Sequence, residues 1–124
     1  MSTLKLTLKK KWFDMILSGD KVTEYRELKP YWVQRLFDYK DIDATPDSFL
    51  EALIKKEYPM FFYTKKYDKI QFFNGGHFSE KLPNFTLEYK GVGIGEGVED
   101  WGAEKGKEYF SIYLGKELNR SNCG

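Results

Sequence analysis

The chain is poor in the residues that build covalent and metal-held folds. It has one cysteine, one histidine and four prolines in 124 residues. Cys123 alone cannot close an internal disulfide or supply a Cys-rich metal site. His77 alone would need carboxylates placed beside it to hold a metal. No apolar run approaches the roughly 20 residues of a membrane span. The first residues lack the apolar core of a secretory signal, so the expected location is cytoplasmic. Net charge is also nearly absent: 20 Lys and Arg against 19 Asp and Glu leave +1. There are no internal repeats and no low-complexity linker. No cofactor, metal or membrane contact is expected, and no feature speaks for DNA in particular.

What is present is enough for one globular domain over residues 1–124. Hydrophobic residues make up 41% and charged residues 31%, the balance of a chain that buries a core. The charge is unevenly spread. The first forty residues hold nine Lys or Arg against five Asp or Glu, whereas residues 41–64 hold two against five. A basic N-terminal third fits a phosphate-bearing partner; for Lys9, Lys10 and Lys11 alone, a solvated lysine-rich surface is the competing reading. The 3 Trp, 9 Tyr and 10 Phe are abundant for this size. Core packing is their default use, and most of Trp12, Phe13, Phe49, Phe72 and Phe110 are expected to serve it. Stacking on bases is the alternative use. Tyr25, Tyr31 and Trp32 flank a charged motif, so one of them is a candidate cleft residue.

Periodicity divides the chain. Leu4, Leu6 and Leu8 alternate with Lys5 and Thr7, as in a half-buried strand. From about Lys9 to Ser18 the spacing turns helical, and Gly19 fits a left-handed helix stop. A charged strand follows at about Lys21 to Arg26. Pro30 opens a second helix. Thr45 and Pro46 open a third, with Thr45 as N-cap. A strand from about Tyr67 to Phe73 breaks at Asn74-Gly75-Gly76. In the strand from Phe85 to Val98 the buried phase switches at Gly91, which predicts a bulge or sharp bend. Glycines 91, 93, 95 and 97 leave one strand face bare, open to another backbone or a ligand. They fail the dinucleotide fingerprint, because Glu96 stands where its third glycine belongs. Tyr109 to Leu114 closes the sheet. Together these patterns predict an α+β domain: a mixed, barrel-like sheet of about five or six strands with two or three helices outside.

The charged strand carries the chemistry. Strand residues two apart share a face, so Val22, Glu24 and Arg26 point one way and Lys21, Thr23 and Tyr25 the other, with Lys21 at the bend able to swing. Glu24 is close enough to pair with Arg26 or Lys21. An exposed ion pair stabilises by only about 0–1 kcal/mol. Two cations around one carboxylate exceed what a surface pair requires and suit an anionic or strongly polar ligand. His77, after the glycine turn, is either a solvent-facing turn residue or a polar group at the cleft rim.

The pattern Gly-x-Lys-x-x-Glu-x-Arg, filled by Gly19, Lys21, Glu24 and Arg26, resembles the signature of the ASCH family of small PUA-like β-barrel domains. Lys9-Lys10-Lys11-Trp12-Phe13, Lys29-Pro30-Tyr31-Trp32, Phe72-Phe73-Asn74-Gly75, Trp101-Gly102-Ala103 and the closing strand from Tyr109 to Gly115 are similar to the family as well. The segment from about Asp38 to Thr64 has no counterpart in the resemblance and is expected to be a helical insertion. The resemblance implies a PUA-like barrel that binds RNA, a nucleotide or a nucleoside derivative. The ligand-binding residues it implies are Lys21, Glu24, Arg26, Tyr25, Trp32, Asn74 and His77.

It also implies an alternative, a small hydrolase acting on a modified nucleoside or on RNA, with Lys21 and Glu24 as catalytic residues. In the amidohydrolases of the family a lysine activates a threonine three positions on. Here that position is Glu24, and Thr23 faces away. A variant would use Glu24 as general base, with Lys21 and Arg26 stabilising the oxyanion. The sequence leaves open whether the protein is an enzyme. It does lead to one energetic expectation: Glu24→Gln should weaken ligand binding more than it lowers stability.

Overall fold

The computed structural model describes residues 2–123. In chain order the elements are β1 (Thr3–Leu8), α1 (Lys10–Ser18), β2 (Thr23–Arg26), α2 (Pro30–Leu36), α3 (Pro46–Ile54), α4 (Met60–Tyr63), β3 (Lys69–Asn74), β4 (Asn84–Glu96), a single 3-10 turn (Glu99–Trp101) and β5 (Glu108–Ser121). The result is an α+β fold around one mixed five-stranded sheet in the order β1-β3-β4-β5-β2. β1 and β3 run parallel, and the remaining pairs are antiparallel. The two edge strands, β1 and β2, share no backbone ladder among the described residues, so the sheet is open where a barrel would close. None of the α-helices among the described residues is long and apolar enough to cross a membrane.

Local chemistry explains most boundaries. α1 stops at Gly19, which takes the left-handed conformation at φ 88° and returns its N–H to the Ile16 carbonyl. Thr45 caps α3 through a reciprocal pair with Ser48, and Pro46 occupies the first turn. Gly91 sits at φ 119° where the β4–β5 register slips, the expected bulge. The slip lets β4 bury Leu87 and Tyr89 before it and half-bury Val92 and Ile94 beyond it.

Three expectations need correction. β2 is confined to Thr23–Arg26, because Lys21 is held in the turn after α1 by its own N–H to the Met15 carbonyl. Among the described residues there are four α-helices; the short α4 has too few residues to show a helical period. β5 continues to Ser121 rather than stopping at Leu114. Its second half pairs with Asn84–Leu87, and backbone pairing of mostly exposed polar residues leaves no apolar alternation to read.

The core lies between the sheet and the helices. Leu4, Leu6 and Leu8 of β1 meet Phe13 and Ile16 of α1, Val33 and Leu36 of α2, and Phe72, Phe85, Phe110 and Ile112 of the sheet. Residues 38–64 dock through Phe49, which is fully buried. Its ring stacks on Tyr39 at 4.5 Å and meets Tyr58 and Tyr63 at 5.6 Å.

Candidate functional site

The motif lies where the sheet fails to close. A cleft of about 850 Å³ opens between the C-terminal end of β1 and β2, bounded also by the start of α1, the Asn74–Gly76 turn and the Trp101–Gly102 turn. Its floor is a chain of charges. The Lys21 ammonium lies 2.9 Å from Glu24 Oε1, and Arg26 Nη2 lies 2.7 Å from Glu24 Oε2. Lys21 is 3% exposed and Glu24 5%. Burial on this scale requires that each charge be paired and hydrogen-bonded.

The surrounding groups meet that requirement for Lys21. Its ammonium also donates to the Trp101 carbonyl at 2.8 Å and lies 4.5 Å from the centre of a Trp12 ring. Arg26 Nη2 donates in addition to the Thr7 carbonyl at 3.2 Å, and the guanidinium lies 5.0 Å from the centre of a Trp32 ring. The Arg26 Nε–H is buried with no protein partner among the described residues. The Arg26 side chain is 20% exposed against 2% for that of Lys21, so Arg26 is the floor cation most open to the cleft.

Two tight contacts set the wall. A Cβ on Gly102 would lie 2.9 Å from Trp12, and one on Gly97 would lie 2.5 Å from Ala103 Cβ and 3.0 Å from the Tyr25 ring. The Tyr25 hydroxyl accepts from the Val98 N–H at 3.0 Å. The glycine-bare side is filled in part by this chain's own side chains, since Gly93 likewise faces Tyr113, whereas a Cβ at Gly91 or Gly95 would meet no atom within 4 Å. At the rim, Lys107 and then Lys29 hold the Glu27 carboxyl below its usual value. Lys9 and Lys10 complete the rim, and Lys10 also pairs with Asp14.

Of the candidate residues, Lys21, Glu24, Tyr25, Arg26 and Asn74 border the cleft. Lys21 swings to the Glu24 side. Trp32 does not line the cleft but lies against Arg26. His77 is exposed and lies outside it, because the glycine turn carries its side chain beyond the rim. Trp12, assigned to the core, is half-buried and forms a cleft wall. Trp101 was missed as a cleft residue, because its contribution to the floor is a backbone carbonyl. The one available signal was the Trp-Gly pair, since glycine after a bulky residue marks a turn that something packs against.

Both Glu24 oxygens are already engaged by cations, Oε1 by Lys21 and Oε2 by Arg26. Thr23 does not border the cleft. Among the described residues, no three His, Cys, Asp or Glu side chains cluster as a metal site requires. No family model, curated protein or solved structure matches the chain.

Proposed function

We propose that the chain is an ASCH-type module that binds RNA, a nucleotide or a nucleoside derivative in this cleft. The observation that carries the reading is the Lys21–Glu24–Arg26 chain, with Lys21 and Glu24 buried and Arg26 opening to the cleft, on the floor of an open cleft bordered by Trp12 and Trp101. Its two cations and one carboxylate leave a net positive floor, suited to a phosphate or carbonyl oxygen. The Trp12 ring borders the cleft with the Lys21 and Lys11 ammoniums 4.5 and 4.8 Å from its centre, so its contact with a base would be at the ring's remaining edge; sequence-tolerant stacking is worth about 1–3 kcal/mol per base. Lys9 and Lys10 at the rim extend the positive surface along a backbone. The volume falls within the roughly 300–1,000 Å³ of small-ligand sites.

Titration of tryptophan fluorescence with a nucleoside monophosphate and with short single-stranded RNA, over a range of salt, tests this. RNA affinity should fall with salt by a slope near 0.7 per phosphate neutralised. Lys9→Glu with Lys10→Glu should weaken all sequences alike. Absence of binding to either ligand would overturn the reading.

A hydrolase is the second reading, favoured only by the placement of Lys21 and Glu24 at the cleft floor. Turnover of acetylated cytidine or RNA, lost on Lys21→Ala in a folded protein, would put it first.

A further inference from the structure

A second cleft, of about 420 Å³, lies before β3, away from the charged motif. It is bounded by Phe61 of α4, by Lys65 to Asp68, and by β4 from Tyr89 to Val92, with Tyr113 across the ladder. The motif cleft touches the other end of β3, at Asn74.

Three features point to a ligand. Three lysines (Lys65, Lys66 and Lys90) border the cleft, against one aspartate, Asp68. The Lys65 and Lys66 ammoniums donate to the neutral carbonyls of Gln34 and Phe61 and make no ion pair among the described residues, whereas Lys90 lies 3.7 Å from Glu88. The walls are aromatic: Tyr67 and Tyr89 meet edge to face at 5.4 Å, and Phe61 is 66% exposed. Finally, the Tyr89 hydroxyl has no hydrogen-bond partner among the described residues, although Tyr89 is only 9% exposed. Neighbouring Tyr67 does have one, donating to the Arg35 carbonyl at 2.6 Å. Burial raises the Tyr89 pKa, so the group stays a neutral donor. A buried donor with no acceptor is costly; the hydroxyl is closed off from the cleft in this structure, so an incoming oxygen relieves that cost once the cleft wall gives way to it.

We propose that this cleft is a second binding site, for a small organic anion with an aromatic ring: the ring against Phe61 and Tyr113, and a phosphate or carboxylate oxygen meeting Tyr89 and the lysines. The site is independent of the motif cleft. The β4 bulge supplies the opening, because a Cβ at Gly91 would meet no atom within 4 Å and the backbone there is bare.

Phenyl phosphate, benzoate and inorganic phosphate, titrated separately into isotope-labelled protein and followed by amide shifts, test the proposal. Phenyl phosphate or benzoate should move the amides of Lys66, Tyr89, Gly91 and Val92 saturably, while leaving those of Lys21 to Arg26 in place. Tyr89→Phe should weaken that binding several-fold with the spectrum otherwise retained, and Lys65→Glu with Lys66→Glu should abolish it. Shifts confined to the motif cleft, or no saturation at millimolar phenyl phosphate and benzoate, would overturn the proposal. So would equal affinity for inorganic phosphate, which would leave the aromatic wall without a role, or unchanged affinity in Tyr89→Phe.

Discussion

Arg26 on β2 donates to the carbonyl of Thr7 on β1 at 3.2 Å, joining by a side chain two edge strands that share no backbone ladder. The same guanidinium nitrogen holds Glu24 at 2.7 Å. Arg26 is therefore both a clasp across the seam and the floor of the cleft that the seam opens. Both contacts are made by the Nη2 group at the far end of a rigid guanidinium, and a lysine ammonium on a flexible stem of different shape is not held at that point. Arg26→Lys should keep the charge but lose the clasp, lowering stability by about 1–2 kcal/mol. Chemical denaturation would measure the loss, and an unchanged midpoint would show that the seam does not depend on the clasp.

Glu24→Gln should be strongly destabilising, contrary to the expectation from sequence. The substitution leaves the buried Lys21 and the half-buried Arg26 around a neutral amide, and breaking a buried pair costs about 3–5 kcal/mol. The amide oxygen still accepts one hydrogen bond, which places the loss at the lower end. A urea midpoint close to that of the unsubstituted protein, with binding lost, would return Glu24 to a pure ligand-contact role.

Gly97→Ala should disturb the cleft without touching a charged residue. The new methyl would fall 2.5 Å from Ala103 Cβ and 3.0 Å from the Tyr25 ring. Overpacking of this kind costs about 1–3 kcal/mol. It should also loosen the Tyr25–Val98 hydrogen bond and, through the turn, the Trp101 carbonyl that Lys21 uses. Thermal melting together with the Trp101 indole signal would report both effects. A shifted melt with an unmoved indole signal would confine the damage to packing.

Glu88 predicts a pH dependence. The Lys116 backbone N–H, first among several groups, holds its carboxyl below the usual 4.5. A carboxyl depressed on folding stabilises above its unfolded pKa, and that contribution fades as pH falls through the folded value. The stability gap between the unsubstituted protein and Glu88→Gln should therefore be steady at neutral pH and shrink below about pH 4.5. Denaturation midpoints at several pH values would show it. A gap that persists into strong acid would mean that the Lys116 contact does not depend on the charge.

The sequence by itself determined the local elements and the partners available for charge. Alternation from Leu4 to Leu8, the Gly19 stop, the Thr45 cap and the phase switch at Gly91 are each written in a few adjacent residues, because helix and strand periods and backbone permissions are local. The spacing of Lys21, Glu24 and Arg26 was legible for the same reason. Only the tertiary structure decided that these three share a buried floor, since Lys21 is drawn inward by a carbonyl 80 residues away, at Trp101. It alone turned Trp12 from a core residue into a wall, set Trp32 against Arg26 and carried His77 outside the cleft. It also decided that the sheet stays open between β1 and β2, bridged by the Arg26 side chain. Such outcomes rest on contacts between residues far apart in the chain, and no short-range pattern encodes which distant backbone carbonyl a buried cation will find.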